Sequence, residues 1–183
     1  AWSERYEAVF LIMPNMLSMR NIYAPSEPIY VGRKSKLTGT ILENGYYDLN
    51  AIEPEEPIHN GESFRIRSFV SSPTIAQLRH AEEDPQWVTE NYLQLPEDFS
   101  TRIRFLAEEI TAGKETRYDK VMAITNYLRT QINYQAQIPE PPDGKDPIEW
   151  FLFEHKAGFC NYFATAEVLM LRSVGIPSRL AVG

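Results

Sequence analysis

The sequence has 183 residues, of which 43% are hydrophobic and 23% charged, a globular composition that fits one ordinary domain or two small ones. Its longest uninterrupted apolar run, residues 8–13, is far shorter than the about 20 residues that a membrane helix needs. The net charge of −7, from 18 Lys+Arg and 25 Asp+Glu with no basic cluster, argues against nucleic acid as a partner.

The first seventy residues have the pattern of β structure. Residues 6–12 are rich in β-branched and aromatic side chains, and residues 64–70 alternate between apolar and polar as a half-buried strand does. Asn44-Gly45, between the strand-like residues 37–41 and 46–49, is a strong hairpin signal. We therefore predict a small antiparallel β module over residues 1–72, with no catalytic residues and with a role in packing or spacing rather than as a binding site.

Two helices are predicted directly after this module. Ser72 as N-cap and Pro73 at the first helical position predict a short helix that Pro85 ends. A longer helix is predicted after Pro96 and ends at Gly113. Its apolar positions, spaced for one buried face, are Phe99, Ile103, Leu106 and Ile110.

A further helix is predicted to begin at Thr116, which is followed three residues later by Asp119. The positions that we expect it to bury are Tyr118, Val121, Met122, Leu128 and Ile132. Residues 135–147 contain four prolines and predict an irregular segment. An exposed connection is the favoured interpretation, and a stiff loop lining a cleft is the alternative.

The C-terminal part predicts two more helix starts and a strand. Asp146 is a cap with Pro147 at the first helical position, and another helix begins near Cys160 and ends at Gly175. Residues 178–182 are predicted to begin a strand.

Cys160 is the single cysteine, which excludes an internal disulfide framework and a cysteine-rich zinc site. The three histidines have no metal-ligand spacing, so we expect neither a metal nor a cofactor. At a helix N-terminus, a thiolate is stabilised by the helix dipole, and the free N–H groups can stabilise an oxyanion. Gly158, just before it, would let backbone or substrate approach closely. The alternative is a buried, inert thiol.

Several motifs around this cysteine resemble the core of the transglutaminase-like superfamily. They are Gly158-Phe159-Cys160-Asn161-Tyr162, then Leu171-Arg172-Ser173-Val174-Gly175-Ile176-Pro177-Ser178-Arg179. The approach segment, Asp146-Pro147 with Phe151-Leu152-Phe153-Glu154, is similar to that of the family's bacterial, membrane-anchored branch. The resemblance covers residues 74–183 well and residues 1–73 only loosely.

The resemblance implies an α+β fold with a papain-like domain and a Cys–His–Asp triad. Cys160 is the triad member that maps onto this chain, because the residues after it include no His or Asp. His155 is interpreted as a loop residue, and His59 and His80 lie outside the family core. Residues 73–183 are thus expected to be the helical, nucleophile-bearing part of an incomplete domain. The chain, which begins at Ala1 without Met, is expected to be an excised fragment that is inactive alone.

By this resemblance, the thiolate attacks a glutamine side chain or a peptide amide, and water or a lysine amine takes up the acyl group. Gly158, Asn161, Tyr162 and Trp150 are weaker candidates for lining the cleft. Arg172 and Arg179 are expected to brace the helix and the following strand, with binding of a substrate carboxylate as the alternative. The parent protein is expected to be membrane-anchored outside this chain, which places the domain outside the cytoplasm.

Three functions therefore remain open from the sequence. The first is the nucleophile-bearing part of a cysteine acyltransferase or amidohydrolase. The second is a non-catalytic binding or assembly module that keeps the fold. The third is an extracytoplasmic spacer in which Cys160 is buried.

Overall fold

The computed structural model describes residues 5–42, 45, 47–81 and 84–181. Backbone contacts divide the chain into two compact units, with the boundary between Thr74 and Ile75. Each unit has its own core, so the two are described separately. None of the helices in the described part of the chain is long and apolar enough to cross a membrane.

The first unit is made of short antiparallel strands. These are β1 (Arg5–Ile12), β2 (Ser18–Met19), β3 (Pro28–Val31), β4 (Ser35–Ile41), β5 (Tyr47–Pro54), β6 (Ile58–His59) and β7 (Phe64–Ser71). One sheet has the order β1-β7-β3, while β2 pairs with β6 and β4 with β5. The antiparallel β module that the sequence predicts is confirmed.

The predicted hairpin is formed by β4 and β5, in which Ile41 faces Tyr47. Gly45 has a positive φ of 79° and donates its N–H to the carbonyl of Leu42 at 2.8 Å. Residues 43, 44 and 46 of the predicted turn and strand lie outside the described residues. The alternation predicted for residues 64–70 is confirmed, because Phe64, Ile66 and Ser68 of β7 are buried.

The second unit is mainly helical. Its elements are α1 (Ile75–Arg79), α2 (Gln86–Tyr92), α3 (Thr101–Thr111), α4 (Arg117–Gln131), β8 (Asn133–Tyr134), α5 (Pro147–Glu149), a π-helix (Trp150–His155), β9 (Ala157–Gly158) and α6 (Cys160–Ser173). Helices α3, α4 and α6 pack on the π-helix around a core that includes Ile103, Ile124, Phe151 and Met170. Residues 135–146 form no regular structure, as predicted.

The helix caps follow the sequence closely. The Ser100 hydroxyl accepts the Ile103 N–H at the start of α3, and the Thr116 hydroxyl accepts the Asp119 N–H at the start of α4. Asp146 accepts the N–H groups of Ile148 and Glu149 at 2.9 and 2.7 Å. These side chains satisfy donors that the first turn of a helix leaves free.

Two details of the predicted helices are wrong. The first helix begins at Ile75 rather than after Ser72, because β7 continues to Ser71, which pairs with Arg5. The chain must leave this sheet before a helix can begin. Pro85 does not end that helix; its extended backbone (ψ 144°) precedes the first residue of α2.

The core face of α4 also differs from the prediction. Met122 is 45% exposed, whereas Ile124, which was not among the predicted buried positions, is 0% exposed. Two residues correspond to about 200° around an α-helix, so these side chains lie on opposite faces. The buried face passes through Ile124 and Leu128, which are four residues apart.

The strand predicted over residues 178–182 is absent from its described part, residues 178–181. Ser178 instead donates its N–H to the carbonyl of Tyr92 at 3.1 Å. Its own carbonyl accepts two hydrogen bonds from the Arg172 guanidinium, at 2.6 and 2.9 Å. The backbone groups that strand pairing would use at this residue are therefore bonded to α2 and α6.

Candidate active site around Cys160

Cys160 is the first residue of α6, and its side chain is exposed. The preceding Phe159 is extended, with φ −114° and ψ −179°. Its carbonyl accepts the N–H groups of Tyr162 at 2.9 Å and Phe163 at 3.3 Å, so the helix begins sharply at the cysteine. The predicted helix is confirmed at both ends, and the buried-thiol alternative is wrong because Cys160 is an exposed residue.

The N-terminal turn of α6 presents hydrogen-bond donors beside the thiol. An α-helix supplies no internal acceptor for its first N–H groups, here those of Cys160 and Asn161. Phe159, at the N-cap position, makes no side-chain cap hydrogen bond. The partial positive charge of the helix end therefore lies next to Cys160. Such a turn can stabilise a thiolate or the oxyanion that forms when it attacks a carbonyl.

The thiol itself contacts Asn161. The distance from Sγ of Cys160 to Oδ1 of Asn161 is 3.5 Å, and both side chains are exposed. Of the four weaker cleft candidates, Asn161 is thus the one that the structure describes in contact with the thiol.

A two-residue parallel ladder fixes the backbone just before the cysteine. Strand β8 pairs with β9, so that Tyr134 faces Gly158. The Asn133 N–H donates to the carbonyl of Lys156 at 2.9 Å, and the Gln135 N–H donates to that of Gly158 at 2.8 Å. The start of the proline-containing segment is thereby anchored two residues before Cys160.

The position of Gly158 is explained by internal packing. A Cβ at this residue would lie 2.7 and 2.9 Å from ring carbons of Phe151 and 3.1 Å from the Cβ of Tyr162. The close approach anticipated at this glycine is therefore that of a core ring of the same chain. Tyr162, another cleft candidate, is half-buried, with its ring centroid 5.4 Å from that of Phe151 and 5.2 Å from that of Phe159.

The π-helix carries the remaining cleft candidate, Trp150, which is only 7% exposed. Its ring stacks on that of His155 with centroids 4.3 Å apart and planes 6° from parallel. His155 is the last residue of the π-helix, so its interpretation as a loop residue is wrong. The helix extends to His155 because its last turn is wide: the Lys156 N–H donates to the Phe151 carbonyl, five residues earlier, at 3.1 Å. Lys156 itself has a positive φ of 51°.

Arg172 braces the C-terminal end of α6, as predicted. Besides its two bonds to Ser178, its guanidinium donates to the carbonyl of Gln94 at 2.8 Å. Arg179 lies over the ring of Tyr92, 5.6 Å from the centroid, and its guanidinium is 3.4 Å from the Tyr92 hydroxyl. These contacts hold the chain after α6 against the end of α2.

Tyr134 lies near Cys160, although no sequence motif indicates it. This residue is 69% exposed, and its ring centroid lies 6.2 Å from that of Phe163 in α6. Its neighbour Gln135 is bonded to Gly158, which places the tyrosine beside the approach to Cys160. The sequence signal for this residue is an aromatic side chain between a helix and a proline-rich segment. Its pairing partner, Gly158, is 24 residues further along the chain, so the pairing is visible only in the fold.

Two surface depressions lie elsewhere, and Cys160 lines neither of them. One, in the β unit, is lined by Arg33, Lys34, Pro54, Glu55, Glu56, Pro57, His59 and Glu62. The other, beside α4, is lined by Arg79, Gly113, Lys114, Glu115, Thr116, Asp119, Met122, Ala123 and Asn126. Charges of both signs line each of them. Across the described residues, no group of three or more His, Cys, Asp or Glu side chains could hold a metal ion.

Comparisons with known proteins find similarity in the helical unit. Residues 104–183 match the family described as the transglutaminase-like superfamily, Transglut_core. The chain is 37% identical over 97 residues to the Uncharacterized protein YebA of Bacillus subtilis, an alignment that covers 52% of this chain and 13% of that protein. It is 28% identical over 135 residues to a protein-glutamine gamma-glutamyltransferase of Pseudomonas aeruginosa, with 72% and 19% covered. The chain thus spans a fifth or less of the length of these curated relatives.

Among solved structures, the fold is similar to the periplasmic domain of TgpA from Pseudomonas aeruginosa. The TM-score is 0.56 at 23% sequence identity, and the match covers 96% of this chain and 55% of that one. This similarity confirms the predicted α+β fold class. The family match includes Cys160 and the whole of α6, so residues 104–183 are similar to the transglutaminase-like superfamily, and the two relatives named above are bacterial.

Proposed function

We propose that Cys160 is the nucleophile of a cysteine acyltransferase or amidohydrolase that acts on protein or peptide amides. The observation that carries this proposal is an exposed thiol at the first residue of α6, whose N-terminus has no side-chain cap. This residue lies within the segment that matches the superfamily. The relative from Pseudomonas aeruginosa is named for transfer from protein glutamine, which favours a glutamine side chain as the acyl donor.

The proposed chemistry begins with the Cys160 thiolate. Its sulfur forms a bond to the amide carbonyl carbon, and the carbonyl oxygen takes up the displaced electron pair. The first N–H groups of α6, next to Cys160, are the donors that would stabilise this oxyanion. The C–N bond then breaks, the nitrogen leaves with a proton as ammonia or an amine, and a thioester remains. Attack by water gives hydrolysis, and attack by a lysine amine gives cross-linking.

The proton transfers require an acid–base partner, which the family resemblance assigns to a histidine held by an aspartate. Residues 161–183 contain neither residue type. We therefore propose that these 183 residues alone form the nucleophile-bearing part and do not turn over amides. An extracytoplasmic location is proposed by analogy with the periplasmic domain of TgpA, and anchoring of the parent protein in a membrane is proposed from the family resemblance.

A non-catalytic binding or assembly module is the second candidate. It also keeps the fold, but it gives no reason for an exposed cysteine at an uncapped helix start. The two candidates differ in the reactivity of the thiol, which can be measured without a general acid.

The test uses p-nitrophenyl acetate, whose p-nitrophenolate leaving group needs no proton. Since Cys160 is the single cysteine, acylation of the folded chain should release about one equivalent of nitrophenolate and form one acetyl thioester. We expect the second-order rate to exceed that of the urea-unfolded chain or of N-acetylcysteine at the same pH by at least about tenfold, because one well-placed oxyanion donor is worth about a hundredfold or more.

Cys160→Ser is the control and should lose the fast release. A folded-chain rate equal to that of the unfolded chain would favour the binding module. Release that persists in the variant would assign the reaction to another group. In a second measurement, incorporation of a primary amine into a glutamine-containing protein should be absent with this chain, and turnover lost in Cys160→Ser would contradict the proposed lack of amide turnover.

A further inference from the structure

We propose that Tyr134 is a specificity-determining residue that binds an aromatic or large apolar group of the acyl donor beside Cys160. The proposal rests on the function proposed for Cys160 and adds a substrate preference to it. Its basis is the position of the tyrosine on β8, away from the interior of the unit. The residue is 69% exposed, so much of its surface is accessible to a ligand.

The backbone places Tyr134 next to the approach to the nucleophile. In the parallel ladder, Tyr134 faces Gly158, and Cys160 follows Gly158 by two residues. The next residue, Gln135, donates its N–H to the carbonyl of Gly158 at 2.8 Å. Hydrogen bonds from the residues before and after Tyr134 thus fix its backbone relative to the start of α6.

The side chain of Tyr134 extends toward the helix that carries the thiol. Its ring centroid lies 6.2 Å from that of Phe163, with 33° between the ring planes. Phe163 follows Cys160 by three residues, and side chains three apart are neighbours on the surface of an α-helix. The tyrosine ring therefore contacts a residue that neighbours Cys160 on the surface of α6.

The surroundings of this ring favour an aromatic or apolar ligand over a charged one. Phe163 packs edge-on against Phe151 with centroids 5.2 Å apart, and Phe151 also contacts Tyr162, so an aromatic layer supports the tyrosine. Asn161, the polar residue described at the thiol, is uncharged. A donor whose reactive carbonyl reaches Cys160 could place an aromatic side chain in an offset stack on Tyr134.

The proposal is tested by alkylating Cys160 with two reagents that differ by one ring, iodoacetamide and N-benzyl-iodoacetamide. In each reaction the sulfur displaces iodide from the same CH₂ carbon, and the ratio of the two rates is normalised to that of N-acetylcysteine. We expect the folded chain to prefer the benzyl reagent. In Tyr134→Ala, this preference should fall by about three- to tenfold, the size of an aromatic pair, while the iodoacetamide rate stays unchanged.

Tyr134→Phe should retain the preference, because the ring and not the hydroxyl is invoked. Phe105→Ala is the matched control, since Phe105 is 68% exposed but lies on α3. Tyr134→Gln removes the ring while keeping a side chain of some length, and it serves if the alanine variant does not fold.

Two results would overturn the inference: a wild-type chain with no preference for the benzyl reagent, or a preference that survives in folded Tyr134→Ala or Tyr134→Gln. Failure of iodoacetamide to alkylate folded wild-type Cys160 would instead refute the accessible nucleophile and, with it, this proposal. The two failures are therefore distinguishable by the reagent that is affected.

Discussion

Gly158→Ala should destabilise the helical unit, although the substitution adds one methyl group to a residue whose backbone suits any L-amino acid. The added Cβ would lie 2.7 Å from the Cε2 and 2.9 Å from the Cδ2 of Phe151. Carbon atoms in favourable contact are about 3.5–4.0 Å apart, so the ring must move by roughly an ångström. Phe151 is 0% exposed and packs against Phe163 and Tyr162, which leaves it little room to move.

The size of the effect follows from two opposing terms. Inserting a methyl into a well-packed core costs about 1–3 kcal/mol. Replacing glycine by alanine at a permitted backbone conformation restricts the unfolded chain and stabilises the fold by about 0.4–1 kcal/mol. The contact term is larger because Phe151 lies in the core, so we expect a net loss of about 1–2 kcal/mol in the free energy of unfolding.

The assay is urea denaturation followed by tryptophan fluorescence. Two of the three tryptophans, Trp87 and Trp150, belong to the helical unit, so they report on the unit in which the change is made. The decisive comparison is a double-mutant cycle with Phe151→Leu, which removes the ring that the methyl would strike. In that background, Gly158→Ala should cost less than about 0.5 kcal/mol.

Two outcomes would refute this reasoning. If Gly158→Ala were as stable as the wild type, the ring contact would not be the reason for a glycine. If the cost were the same with Phe151→Leu, it would arise from the backbone of β9 rather than from the ring.

Two further predictions concern charged groups of the helical unit. Arg172→Leu should lower the free energy of unfolding by about 2–3 kcal/mol in the same urea assay, because it removes the guanidinium hydrogen bonds to the carbonyls of Gln94 and Ser178. The control is Arg129→Leu, at an exposed position of α4, for which we expect a change within about 0.5 kcal/mol. A loss as small as that of the control would contradict the bracing role of Arg172. The hydrogen bond from Arg79, and next that from Thr116, lower the pKa of Asp119 below its usual 3.8, so its contribution to stability is present above that value and is lost as the pH falls through the lower, folded-state pKa. Asp119→Asn should therefore show a shallower loss of stability on acidification, measured as the urea midpoint at stepwise lower pH, and an unchanged acid slope would contradict this linkage.

Features that depend on short stretches of sequence were predicted well. These features are the pairing of β4 with β5, the caps at Thr116 and Asp146, and the start of α6 at Cys160, and each depends on residues that are close in sequence. Gly175 has φ 80° and ends α6 together with the bond from the Ile176 N–H to the Leu171 carbonyl at 2.9 Å. Local chemistry determines such features, so the pattern is readable before the fold is known.

The features that the sequence did not predict depend on contacts between distant parts of the chain. The start of α1 is delayed by pairing of Ser71 with Arg5, and the conformation after α6 is set by Arg172 and Tyr92. The π-helix and the packing of Phe151 on Gly158 likewise require the folded arrangement. At the candidate site, the sequence therefore indicated Cys160, the proposed nucleophile, but not the neighbouring Tyr134.

At residue 159, just before the cysteine, the stability of α6 and the proposed reactivity of Cys160 favour different side chains. A serine or aspartate at position 159 would satisfy a donor of the first turn and stabilise α6 by about 1 kcal/mol. The chain has phenylalanine there, which makes no side-chain cap hydrogen bond. A cap would occupy an N–H group that the proposed oxyanion needs, so the most direct way of strengthening this helix would also inhibit the reaction. Engineering for thermal stability should therefore leave residue 159 unchanged.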